Sequence, residues 1–239
     1  MMRNNNTNEN NFMFKLRGVL WMLIVVFMLG ACTDEDEEPS PEETTEEKKP
    51  EQKELVSNKV DNLHAPQKGG IRDAGGSPTP ISGPFAKFDF ATNETVAADS
   101  KDWDIAFRGS TIVINGGAAS KGSLDEPERT GKAAIYIASG SLDDVKEVDT
   151  SKLKQDSADA LAIPAGSGNG WYSYAGPPTH VISAIAGKVL VIRTRDEKYA
   201  KVEILSYYKD APETPDQSSE SPYYTFRYVY QPNEGVTTF

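Results

Sequence analysis

The sequence is poor in the residues that most often carry chemistry. It holds one cysteine and two histidines in 239 residues. A single cysteine excludes an internal disulfide framework and leaves no thiol nucleophile downstream of Cys32. All five methionines (Met1, Met2, Met13, Met22 and Met28) sit at the N-terminal end. Beyond them, the neutral nitrogen ligands reduce to His64 and His180, a scarcity that restricts any metal site. No Gly-x-Ser-x-Gly elbow and no P-loop occurs. Acidic residues outnumber basic ones by 36 to 25, and no basic cluster interrupts them. That balance argues against a nucleic-acid partner and against electrostatic attraction to anionic lipid. The many carboxylates single out no acid/base pair and read as solvated surface. An enzyme has no positive support.

The N-terminal segment has a different logic. Arg3, Lys15 and Arg17 precede an apolar run from Val19 to Leu29. The run is too short and wrongly flanked for a stable membrane span. It ends in "LGAC", residues 29–32, so a basic start and an apolar centre lead into small residues before a cleavage point. This is a secretory signal layout, and LGAC resembles the bacterial lipobox. The expectation is a signal peptide over 1–31, with Cys32 acylated by chains such as palmitate and serving as the membrane anchor. The stretch "TDEDEEPSPEETTEEKKPEQKE" follows. Such a charged segment, almost free of large apolar residues, cannot offset chain entropy by burial and is expected to be a disordered, extended linker over 32–59. It resembles the acidic run of surface-exported Bacteroidetes lipoproteins, and a plain spacer fits it equally.

From residue 60 to 239 the pattern turns to strands. "DWDIAF" puts Trp103, Ile105 and Phe107 on one side and Asp104 and Ala106 on the other. "STIVINGG" has Ile112 and Ile114 on one face and then a turn. "AAIYIASG" is a further short strand. "GKVLVIRTR" and "KYAKVEILSYY" are separated by little more than Asp196 and Glu197, the spacing of a hairpin. "SPYYTFRYVYQPN" alternates Tyr224, Phe226, Tyr228 and Tyr230 against Tyr223, Thr225, Arg227 and Val229. The segment 142–164 is too polar for a core helix and predicts loops with a turn or two of helix around 151–160. The expected fold is mainly β, a single antiparallel β-rich domain with short helical turns.

At "KDWDIAFRGSTIVINGG" the chain resembles the HmuY family of Bacteroidetes surface lipoproteins. The likeness continues in "KQDSADALAIPAGSGNGWYSY", in "THVISAIAGKVLVIRTRDEKYAKVEILSYYKD" and in "YYTFRYVYQPN". The resemblance implies a mainly β fold, an outer-membrane location facing outward, haem as cargo taken from a host haem carrier, and hand-over to a TonB-dependent receptor. Two departures stand out. The hairpin turn is Asp196-Glu197 where a relative would carry Asp-Gly, and glutamate does not share glycine's tolerance of positive φ. The family's haem binders also hold iron with two histidines or two methionines, and that pair cannot be assembled here.

The stretch "SGNGWYSYAGPPTHVIS", residues 167–183, then carries the question of function. In one reading His180 is an axial haem ligand, walled by Trp171, Tyr172 and Tyr174. In the other, His180 sits in a turn and the aromatics are core. His64, in "DNLHAPQKGG", reads as a solvated linker residue. Arg108, Arg193, Arg195 and Lys201 are possible propionate clamps, or strand residues facing solvent. Two functions follow: a surface lipoprotein that binds haem or a related tetrapyrrole, or a non-catalytic interaction lipoprotein that binds a host protein, glycan or receptor partner.

Overall fold

Period-two alternation becomes strand from Val56 to the C-terminus. The computed structural model describes residues 52–70, 76–121 and 123–239. The signal segment, Cys32 and the linker up to residue 51 lie outside the described residues. Eleven strands are described: β1 (Val56–His64), β2 (Ala86–Asp89), β3 (Glu94–Val96), β4 (Ile105–Arg108), β5 (Thr111–Ile114), β6 (Ala134–Ser139), β7 (Tyr172–Tyr174), β8 (Ile182–Ala184), β9 (Lys188–Arg193), β10 (Tyr199–Ser206) and β11 (Tyr223–Gln231). They form a five-stranded sheet in the order β1-β11-β10-β9-β6, a four-stranded sheet β3-β2-β4-β5 and a separate β7-β8 pair. Every strand pairing is antiparallel. The only helix among the described residues is a 3-10 turn at Thr150–Lys152, capped by the Asp149 carboxylate.

The two larger sheets face each other across one core, as an open sandwich. From the five-stranded sheet come Leu190, Ile192, Ala200, Val202, Tyr224, Phe226, Tyr228 and Tyr230. From the smaller sheet come Phe88, Ile105, Phe107, Ile112 and Ile114. Each set is one parity of its strands, because successive side chains point to opposite faces. Edge-to-face rings stitch the layers: Phe88 and Phe226 lie 5.4 Å apart at 87°, a favoured arrangement of ring quadrupoles. Buried tyrosines keep their hydroxyls satisfied. Tyr224 donates to Gly109 O at 2.8 Å, and Tyr228 Oη lies 2.8 Å from Asn93 Oδ1. The other face of the large sheet, with Val189, Val191 and Tyr199, is covered by Leu142, Val145 and Val148 and by Phe239.

One polar bridge joins the two sheets. Asp104, just before β4, accepts Phe90 N–H at 3.1 Å and Arg195 N–H at 2.9 Å. Arg195 comes from the β9–β10 turn, and its guanidinium lies 3.1 Å from Asp89 and 3.7 Å from Asp104. Burial dominates over these partners and pushes the Asp104 carboxyl up to about 6.

The structure revises several expectations. Residues 56–59 are strand and not linker, because Val56–Val60 pair with Tyr230–Phe226 of β11. The register gives them a ladder of backbone hydrogen bonds despite their polar composition. His64 closes β1 and stacks on Tyr223, ring centroids 4.4 Å apart. It is therefore a sheet residue, not a linker residue. Trp103 packs with Phe85, Ala106 and Val113, on the side opposite Ile105 and Phe107, because it lies ahead of β4 where the strand parity does not yet hold. At the β9–β10 turn Glu197 does adopt φ 65°. Glu197 N–H reaches Thr194 O, and Thr194 N–H reaches Lys198 O. This is a three-residue loop that places its left-handed position on Glu197, where glycine is usual. The four clamp candidates are occupied structurally. Arg108 is buried over the Phe85 ring and donates to Gly83 O and Ser123 Oγ. Lys201 is buried and donates to Val145 O. Arg193 holds Lys132 O, and Arg195 belongs to the inter-sheet bridge.

Candidate functional site

The β7–β8 hairpin carries the aromatic and histidine residues that the sequence singles out, and it divides them. Trp171, just ahead of β7, and Tyr172, its first residue, both pack inward. Trp171 is buried at 2% exposure and donates its indole N–H to Ser110 O at 3.0 Å. Its ring touches Tyr172 and Tyr224, with centroids 5.1 Å away in both cases. Trp171 is thus a core residue tying the hairpin to the sandwich, and Tyr172 packs against the same core. Tyr174 and His180 point out. The chain turns at Gly176, with Ala175 N–H on Val181 O and His180 N–H on Gly176 O. His180 takes φ 53° there. Tyr174 Oη and His180 Nδ1 are hydrogen-bonded across the hairpin mouth. Both rings are exposed.

That hydrogen bond fixes the imidazole. A histidine presents to a metal the nitrogen that its other contact leaves free. With Nδ1 engaged by Tyr174, Nε2 is the nitrogen left for a ligand. The tautomer that suits iron carries the proton on Nδ1 and gives it to the phenol oxygen.

A second wall stands beside the hairpin. The β10–β11 connection is itself a folded loop, with Lys209 N–H on Glu220 O and Tyr223 N–H on Tyr207 O. Its tip is an Asx turn in which Asp216 accepts Ser218 N–H at 2.8 Å. Its base is held by a bulge in β1. Asn62, at φ 57°, exchanges two hydrogen bonds with Asp210, at 2.8 and 2.7 Å. Asparagine accepts the left-handed backbone that a bulge asks for. Tyr208 then braces the hairpin by accepting Ile182 N–H at 2.8 Å. His180, Tyr208, Asp216, Gln217 and Ser219 line a cavity of about 280 Å³ between the two walls. Its lining is largely polar and includes one carboxylate. Burial pushes the phenols of Tyr207 and Tyr224 well above their ordinary range, so both stay protonated.

The sequence reading missed Tyr208 and the loop tip around Asp216. The available signal was weak: "KDAPETPDQSSESP" is a polar, Pro-rich run that says loop and nothing about what the loop stands next to. His64 lies on β1, stacked on Tyr223. Among the described residues no group of three His, Cys, Asp or Glu is arranged to hold a metal ion.

Comparison with known proteins gives a family and a set of related folds. The family model for HmuY protein matches residues 85–228. Comparison with curated proteins gives no match. Among solved structures, an apo HmuY analog from Tannerella forsythia is 14% identical, covers 76% of this chain and 99% of its own, and superposes with a TM-score of 0.41. A candidate HmuY-like heme-binding protein from Bacteroides vulgatus is 13% identical over 75% of this chain and 93% of its own, with a TM-score of 0.41. A candidate lipoprotein from Bacteroides fragilis is 16% identical over 75% of this chain and 90% of its own, with a TM-score of 0.39.

Proposed function

The chain belongs to the HmuY family, and from that premise we propose that it is a non-catalytic surface lipoprotein whose cargo is haem or a related tetrapyrrole. The observation that carries this reading is the Tyr174–His180 pair. An exposed imidazole is oriented through Nδ1, with Nε2 left for iron, at the mouth of a cavity built by two folded loops. In this proposal His180 supplies one axial nitrogen. Tyr174 holds the ring and, by accepting the Nδ1 proton, strengthens the donor. Tyr172 and Trp171 act from behind, by fixing the hairpin to the core.

The opposite axial position is left to a tyrosine, water or nothing. Residues 52–239 contain no methionine, and His64 is stacked on another element. The cargo would therefore be held less tightly than by a two-ligand relative, which suits a carrier that passes haem to a TonB-dependent receptor. Cys32, acylated after cleavage of residues 1–31, would anchor the protein in the outer membrane, with the acidic linker extending the domain outward.

The polar lining of the His180 cavity favours the second reading, in which the same loops grip a host protein, a glycan or a receptor partner. A haemin titration followed by absorption spectroscopy separates the two. One-to-one saturation of the Soret band supports the cargo reading. A featureless, non-saturating change supports the interaction reading.

A further inference from the structure

A larger cavity lies elsewhere, at the free edge of the five-stranded sheet. It has a volume of about 440 Å³ and sits against β6, the edge strand next to β9. Its size is that of a small-molecule site. Ile135, Ile137, Ala162 and Pro164 give it apolar walls, and Lys152 and Lys154 stand at its polar side. The walls are fixed by backbone contacts. Lys154 and Ile135 exchange both main-chain hydrogen bonds, at 2.8 and 3.1 Å. Gly170 lets the Gly-rich loop close on Pro164, since a Cβ at that position would lie 2.4 Å from Pro164 O. Asn169 of the same loop completes the lining and donates to Ala165 O at 3.1 Å.

The chemistry of the lining is selective. It contains no histidine, cysteine or methionine, and its one phenol, Tyr136, already accepts the Asp149 N–H at 3.0 Å. Lys152 is paired with Asp149 at 3.0 Å, whereas the Lys154 ammonium has no carboxylate partner among the described residues. In a chain with a formal charge of −11, an apolar slot flanked by two lysines is matched to a ligand of opposite character. We propose that this cavity is a second, iron-independent site for an apolar carboxylate: a flat or elongated hydrocarbon body lying on Ile137, Ala162 and Pro164, with its carboxylate on Lys154 and Lys152. Two sources present that chemistry, the propionate edge of a porphyrin and the head of a fatty acid. The site does not depend on His180 and stands or falls apart from the function proposed above.

The test titrates the protein with metal-free protoporphyrin IX and, separately, with palmitate, by fluorescence and calorimetry. The expected result is one-to-one binding of at least one of them. A K152E/K154E pair should weaken it about tenfold, the scale of one charge-assisted contact. Ala162→Trp should abolish it by filling the slot, and His180→Ala should leave it unchanged. Binding of the porphyrin alone, or of palmitate alone, assigns the source. The lysines are exposed, so their reversal reports on the site even if the tryptophan variant melts early. Failure of both ligands to bind, or binding that neither cavity variant alters, overturns the proposal. Haemin binding read at the Soret band in parallel keeps this outcome separate from the role of His180.

Discussion

Acidification should stabilise this protein through one carboxylate, Asp104. Its native carboxyl is pushed up from 3.8 to about 6, with burial as the largest cause. The folded state therefore binds the proton more tightly than the unfolded chain does. For an acid with a raised native value, the favourable contribution grows as pH falls through the native value and is complete below the unfolded one. The full span is a little over two units, or about 3 kcal/mol at 1.36 kcal/mol per unit. Between pH 7.5 and pH 5 the same linkage yields about 1.4 kcal/mol. Urea unfolding of the wild type and of Asp104→Asn at the two pH values measures it. The variant loses one of two acceptors facing Phe90 N–H and Arg195 N–H, and it also leaves Arg195 with fewer carboxylates. It should be less stable by about 2 kcal/mol at neutral pH, the cost of an unsatisfied buried group. Its change in stability between the two pH values should be smaller than the wild type's by about 1.4 kcal/mol. Equal pH responses in the two proteins would refute the claim that Asp104 is buried and ionised between the sheets.

Three further outcomes follow from particular contacts. Glu197→Gly should raise the melting temperature by roughly 2 °C, because the turn holds φ 65° there, while Glu197→Gln, which removes only the charge facing Lys132, should not. Trp171→Phe should lower stability by about 2–3 kcal/mol in urea unfolding, through a lost bond to Ser110 O and a smaller buried ring, and should leave a haem spectrum, if one forms, unchanged in type. Cys32→Ser should release the protein from membrane fractions or leave it unprocessed; a processed variant that still partitions with membranes would contradict the anchor.

Strand content was legible wherever parity was strict. The alternation of Tyr224, Phe226, Tyr228 and Tyr230 in β11, and of Ile112 and Ile114 in β5, reports the core face directly, because each side chain faces either the opposing sheet or away from it. The hairpin at Asp196-Glu197 was legible from spacing, and its left-handed residue from the missing glycine. Trp103 was not, since it lies two residues ahead of the strand whose parity it appeared to share. β1 was not either: Ser57, Asn58, Lys59 and Asp61 carry no apolar pattern, and the strand exists because β11 offers it an edge. For the site, the pairing of Tyr174 with His180 was within reach of the sequence, since six residues and a Gly-Pro-Pro turn bring them together. The separation of Trp171 from them rests on contacts with Ser110 and Tyr224, both more than fifty positions away, that no local pattern encodes. Tyr208 and the Asp216 loop tip are brought to His180 by a bulge at Asn62, a contact 148 positions away in sequence that no local pattern encodes.

The central claim is that His180 offers a single axial nitrogen to haem. Absorption spectra of the haemin-loaded protein and of His180→Ala test it most directly. The account predicts a predominantly high-spin complex in the wild type, since one imidazole opposite a tyrosine, water or an empty position does not supply two strong nitrogen ligands, and loss of that spectrum in the variant. A low-spin bis-histidine spectrum from monomeric protein, or a haem complex unchanged by His180→Ala, would contradict it.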